Sequence, residues 1–174
     1  MRSSQSTAEQ CRVERAENDA VLRYLWVEQL PGWRTSKSIW IVDGYSLATH
    51  PDLCERVERI NDAAGTPAIF RYLYGKPALI AANGVVVAFA KGTHTFCVRL
   101  PAGACDTDLL APPREADSRF PALAQKQREL DALTAGEWTR LDPYSVNMPR
   151  DEGLARLADH VARAVATAIS HSSE

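Results

Sequence analysis

Arg71, Tyr72, Tyr74, Lys76 and Arg99 set aromatic and basic side chains on neighbouring strand-like segments of this sequence. If the first of those strands runs straight through, its period of two sends Arg71 to one face and Tyr72, Tyr74 and Lys76 to the other. A face carrying phenols and an ammonium suits an anion, a nucleic-acid backbone or the acidic helix of a partner. The same residues also have a plain structural reading, with Tyr72 in the core and Lys76 solvating a turn. His94 is the nearby candidate base. It lies three residues before Cys97, so a strand places the two on opposite faces and they form no Cys–His pair. His94 acts as a base only if carboxylates from elsewhere converge on it. The candidate ligand-binding residues are therefore Tyr72, Tyr74, Lys76, His94 and Arg99, and no residue is assigned a catalytic role.

The stronger chemical signatures fail on inspection. Gly75-Lys76 has neither the earlier glycine nor the following Ser or Thr of a phosphate-binding loop, since position 77 is proline. There is no GxGxxG. Gly44-Tyr45-Ser46-Leu47-Ala48 begins like a nucleophile elbow but ends on alanine. The four cysteines, Cys11, Cys54, Cys97 and Cys105, contain no CxxC pair and no zinc-finger spacing to histidine. They read as free, mostly buried thiols. His50 and Cys54, four apart on one helix, would need further ligands to hold a metal. No metal and no cofactor is expected. His160 reads as a boundary or solvent residue, and Glu55, Arg56, Glu58 and Arg59 as a solvated helix face.

The elements that must position these residues are set by ordinary composition. The chain has 174 residues, 45% hydrophobic and 24% charged, enough for one domain that buries roughly 70% of its unfolded surface. Its net charge of −2 excludes a polybasic nucleic-acid arm. The longest apolar run, residues 85–90, is far shorter than the ~20 residues that span a bilayer. No apolar leader is visible near the start, which makes a cytoplasmic protein with no membrane contact the expectation.

Residues 1–8 read as disordered and the proline-free stretch that follows as a helix with Val21, Leu22, Leu25 and Trp26 on its apolar side, stopped at Pro31-Gly32. Residues 38–42 read as a short strand. A second helix begins near Thr49, with Thr49 and Asp52 as a capping box and Pro51 in the first turn. Four strand-like runs follow between residues 69 and 100, divided at Gly75, Asn83-Gly84 and Lys91-Gly92, and Asn-Gly predicts a type I′ hairpin. In the last run Phe96, Val98 and Leu100 face the core and Thr95, Cys97 and Arg99 the other way. A long connection spans residues 101–121. A helix then runs from about Phe120 to Leu133, and a short edge strand ends at Asp142-Pro143. The final helix carries Leu154, Leu157, Ala158, Val161, Val165, Ala168 and Ile169 on one side, with Arg156, Asp159 and Arg163 opposite. The pattern predicts an α+β fold: an antiparallel β-meander packed against an amphipathic C-terminal helix, with an N-terminal helical extension.

The order of Gly65, Leu73-Tyr74-Gly75, Asn83-Gly84, Phe89-Ala90 and Arg99, closed by the amphipathic helix, resembles the YjbR and TfoX N-terminal-domain group of small bacterial proteins over about residues 50–170. Tyr74 stands where that group usually has phenylalanine, and Lys76-Pro77 replaces the second glycine of its common pair. The resemblance implies a curved antiparallel sheet and, for some members, a part in competence regulation. Together with the composition this divides the chain into residues 1–8, read as disordered, a helix and strand extension over 9–45, a domain over 46–170 and a tail over 171–174.

On these grounds the expected function is non-enzymatic: an intracellular domain that binds an unidentified protein or small ligand through its sheet. Two alternatives stand beside it. One is an accessory transcription or competence regulator acting with DNA or a DNA-bound partner, which the net charge does not favour. The other is a small enzyme centred on His94. The apolar N-terminal helix either packs on its own domain or joins a homodimer across a two-fold axis.

Overall fold

The computed structural model describes residues 12–26, 49–112, 121–146 and 148–171. Helix α1 covers Asp19–Leu25 and α2 Pro51–Ala63. Strands β1 (Ile69–Leu73), β2 (Lys76–Ile80), β3 (Val86–Lys91) and β4 (Thr95–Val98) follow. Helix α3 (Pro121–Thr134), strand β5 (Thr139–Leu141) and helix α4 (Arg150–Ser170) complete the described chain. The five strands lie in sequence order, β1-β2-β3-β4-β5, every neighbouring pair antiparallel. The fold is α+β, with α4 packed on the meander. The expected strand at residues 38–42, the disorder of residues 1–8, Trp33 and Trp40 lie outside the described residues.

Helices cover the sheet on both sides. Leu53, Val57 and Ile60 of α2 and Leu157, Val161 and Val165 of α4 bury one face with Leu79, Ala88, Phe96 and Val98. On the other, Val21, Tyr24 and Leu25 of α1 and Leu130 and Leu133 of α3 pack against Ala78, Ile80, Phe89 and Cys97. The second apolar layer differs from the single core face expected for β4: Cys97 is as buried as Phe96. Strands buried on both faces carry near-continuous apolar runs, and residues 85–90 are such a run. A bulge between β2 and β3, where Leu79 faces Ala88 but Ile80 faces Val86, puts Val87 and Ala88 into the α2–α4 core together. The stripe of α1 is thus buried within the chain, although Trp26 at its end stays 41% exposed.

Leu157 is fully buried on α4. Leu157→Ala should cost about 3 kcal/mol of unfolding free energy. A denaturation midpoint unchanged by this substitution would contradict the packing.

Turn chemistry places the hairpins differently from the sequence reading. The two-residue turn with positive φ at both positions is Tyr74-Gly75 (51° and 81°), closing the Leu73–Lys76 pair. Asn83 does not adopt positive φ. It sits in a wider loop, accepting from the Val85 amide through Oδ1 and donating from Nδ2 to the Ala168 carbonyl of α4. Gly84 does have positive φ, 89°, and a Cβ there would collide with the Arg12 carbonyl oxygen. The N-terminal segment therefore crosses directly over this glycine. The cap of α2 is also shifted by one residue. His50 Nδ1, not Thr49, accepts from the Asp52 amide at 3.0 Å, while Thr49 donates to the Ala90 carbonyl at 3.1 Å.

Several polar residues assigned to the surface are buried. Arg56 donates from Nε to the Pro143 carbonyl at 2.8 Å. His160 is fully buried, accepting from the Asp106 amide at Nε2 (3.0 Å) and bonding the Arg156 carbonyl at Nδ1 (2.6 Å). A helical wheel assigns such residues outward because it cannot see the 3₁₀ turns of the 101–112 connection that pack across α4. Arg156 ties the same connection down by bonding Asp106 and Asp108.

Candidate ligand-binding site

The five sequence-predicted residues do not converge. Tyr72 and Lys76 were expected on one face, but the Tyr74-Gly75 turn takes two residues out of the strand alternation. Lys76 therefore pairs with Leu73 and Tyr72 with Pro77, on opposite faces. Tyr72 is 57% exposed on the α2 side, its ring edge-on to Phe70. Tyr74 is exposed in the turn and stacks on Trp26 at 6.0 Å between ring centroids. His94 lies in the exposed β3–β4 turn, bonded to the Thr93 hydroxyl at 2.7 Å and edge-on to Tyr144. Beside Tyr144 a polar cavity of about 420 Å³ is lined by Asp52, Glu55, Arg56 and Arg59.

Lys76 lies with Lys91 and Lys126, each no more than 5% exposed, on the α1–α3 side of the sheet. The sequence has only four lysines, and three of them are buried around the C-terminal end of α1. Lys126 caps that helix, donating to the Arg23 and Trp26 carbonyls at 2.7 and 3.0 Å and pairing with Glu129 at 2.7 Å. Lys76 donates to the Tyr74 carbonyl at 3.0 Å. The Lys91 ammonium has the Tyr24 ring, 4.6 Å from its Nζ, and among the described residues no hydrogen-bond acceptor. Burial, reinforced by Lys126 and Lys76, pulls its pKa down to about 7.

Arg99 is the predicted residue that borders a ligand-sized space. It follows β4, and its side chain knits three distant segments together. Nε donates to the Val86 carbonyl at 2.7 Å and Nη1 to the Glu17 carbonyl at 3.0 Å and Glu137 Oε1 at 3.2 Å. Nη2 donates to Asn18 Oδ1 at 3.1 Å. The guanidinium carbon also lies 4.6 Å above the Trp138 ring. Asn18 completes the frame through Nδ2, which donates to the Val13 and Gly84 carbonyls at 2.9 Å each. Four of the five guanidinium N–H groups are therefore spent on protein, leaving one on Nη2.

The residues around that guanidinium form a cleft of about 480 Å³, lined by Glu17, Val85, Arg99, Pro101, Glu137, Ala164, Thr167, Ala168 and His171. Its floor and walls are apolar because the last turns of α4 present Ala164 and Ala168 where larger side chains would fill the space. Glu17, Arg99 and Glu137 cluster together, joined through the guanidinium. The Glu17 carboxylate is bonded by Arg15, which holds it below the usual carboxylate range. Glu137 spends one oxygen on Arg99 and is otherwise open to solvent, its side chain 66% exposed. Thr167 donates to the Arg163 carbonyl of its own helix at 2.9 Å. Sequence reasoning named Arg99 but missed the cleft. Its other walls come from residues as far apart as Glu17 and His171, and small residues late in a helix are the single local hint.

Among the described residues no three His, Cys, Asp or Glu side chains gather where they could share a metal ion, and no helix is long and apolar enough to cross a membrane. Comparison with protein-family models, curated proteins and solved structures returns no match. The likeness to the YjbR and TfoX group accordingly rests on the residue pattern alone.

Proposed function

We propose that the protein is a non-catalytic binding domain for a small, largely apolar molecule with one polar end, held in the cleft between the C-terminal half of α4 and Arg99. The carrying observation is the cleft itself: its volume falls in the range of small-molecule sites, and its apolar walls converge on a few fixed polar groups. The Arg99 frame pre-organises that polar end, so little ordering is left to occur on binding. Among the described residues of the lining the one side-chain hydroxyl, that of Thr167, is bonded to its own helix. Helices cover both faces of the sheet, so the binding surface is moved from the sheet face to its end.

Thr167→Trp tests this reading. Thr167 is exposed and bonds only its own helix, so the indole fills the mouth of the cleft without entering the core. With the full chain, benzyl alcohol and hexanamide should shift the NMR methyl signals of Val85, Ala164 and Ala168, and the Trp variant should lose those shifts. Shifts absent from the wild type, or retained in the variant, would sink the proposal.

A further inference from the structure

Resting on that reading of the cleft, we infer that its polar end selects a neutral head that both donates and accepts, a primary carboxamide, over a carboxylate or an amine on the same apolar tail. Three observations fix the head-group chemistry. The unspent N–H on Arg99 Nη2 calls for an acceptor on the ligand. Glu137, with only Oε1 engaged, offers its second carboxylate oxygen as an acceptor and calls for a donor. The formal charges at this end, Glu17 with Arg15 and Glu137 with Arg99, already cancel in pairs.

A carboxamide meets both demands at once, its carbonyl accepting from Arg99 and its NH₂ donating to Glu137, and it leaves the charge balance as it is. A carboxylate accepts from Arg99 but brings a second anion against Glu137. The two carboxylates then share one guanidinium, and like charges set side by side are a strong discriminator between ligands. An alkylammonium donates to Glu137 but leaves the Arg99 N–H without an acceptor and sets two cations together. A donor or acceptor stranded in a site is what makes polar recognition selective. Val85, Pro101, Ala164 and Ala168 hold the tail of all three alike, so the discrimination lies in the head.

The inference assigns Glu137 a specificity role that is separable from the fold. Its side chain is largely exposed, and Glu137→Gln keeps an acceptor for Arg99 while replacing the second oxygen with a donor. Titrations of hexanamide, hexylamine and hexanoate into the full chain, followed by the same cleft methyl signals, provide the test. In the wild type hexanamide should bind at least roughly tenfold more tightly than either charged analogue. In Glu137→Gln, hexanoate should gain by a similar factor, because the new NH₂ donates to it and the repelling charge is gone.

Equal affinities, a preference for hexanoate in the wild type, or a preference that survives Glu137→Gln overturn the head-group assignment. They leave the cleft standing so long as Thr167→Trp still abolishes binding. Failure of all three compounds to bind overturns both.

Discussion

Arg99→Met should lower the unfolding free energy by about 3–5 kcal/mol, one of the two largest effects we expect from a single substitution. The guanidinium is 8% exposed and donates four hydrogen bonds, to the Val86 and Glu17 carbonyls, Asn18 Oδ1 and Glu137. Methionine fills much of the volume but satisfies none of those acceptors, and Val86 and Asn18 are buried. Arg99→Lys should recover only part of the loss, because one ammonium cannot reach four acceptors in three segments and lie flat on Trp138. Denaturant unfolding of the three proteins measures this. A loss below about 1 kcal/mol in Arg99→Met would show that the N-terminal segment is held by something else.

The second large effect has the opposite sign. Lys91→Met should stabilise the protein by about 3–4 kcal/mol at pH 7, because burial without an acceptor penalises the ammonium and methionine keeps the packing against Tyr24. The pH dependence identifies the cause. Between pH 7 and 10.5 the unfolded chain holds a proton on Lys91 that the folded chain, with a pKa of about 7 there, releases. Raising the pH through that window therefore favours the fold, by up to about 1.4 kcal/mol per pH unit.

Above pH 9 the trend reverses. Burial pushes the Cys97 thiol up to about 12 and the Cys54 and Cys105 thiols upward as well, so unfolded thiolates draw the equilibrium the other way. Wild-type stability should rise from pH 7 to a maximum near 9 and then fall. Lys91→Met should lose the rise and keep the fall. A rising limb that persists in the variant would assign it to another group.

What the sequence disclosed and concealed follows from which contacts are periodic. The stripe on α4 was legible because seven apolar residues repeat at helical spacing, and all but Leu154 and Ile169 are buried. The order of the strands was legible because glycines punctuate them. The burial of Lys76, Lys91, Lys126, Arg99 and His160 was not, since their partners are largely backbone carbonyls, an amide and aromatic rings distant in sequence. Lys126, for example, caps a helix 103 residues away. Tyr74 carries no signal of a left-handed residue, so the turn that separates Tyr72 from Lys76 was hidden, and with it the failure of the predicted aromatic and basic face. The second covered face had a trace in the unbroken apolar runs of β2 and β3, which a single-face reading passes over.

The two margins of the sheet are finished differently. Along β5 the outer hydrogen-bonding groups are taken up by the chain itself, with the Ala111 amide on the Arg140 carbonyl, the Asp142 amide on the Leu109 carbonyl, and Leu110 bridged to Leu141. Along β1, Asn61 clasps both backbone groups of Ala68. A ladder that grows without limit needs an acceptor edge on each end of every unit, and this sheet has one end already sealed. The covered β5 margin thus denies a fibre the second edge it would need to propagate strand on strand.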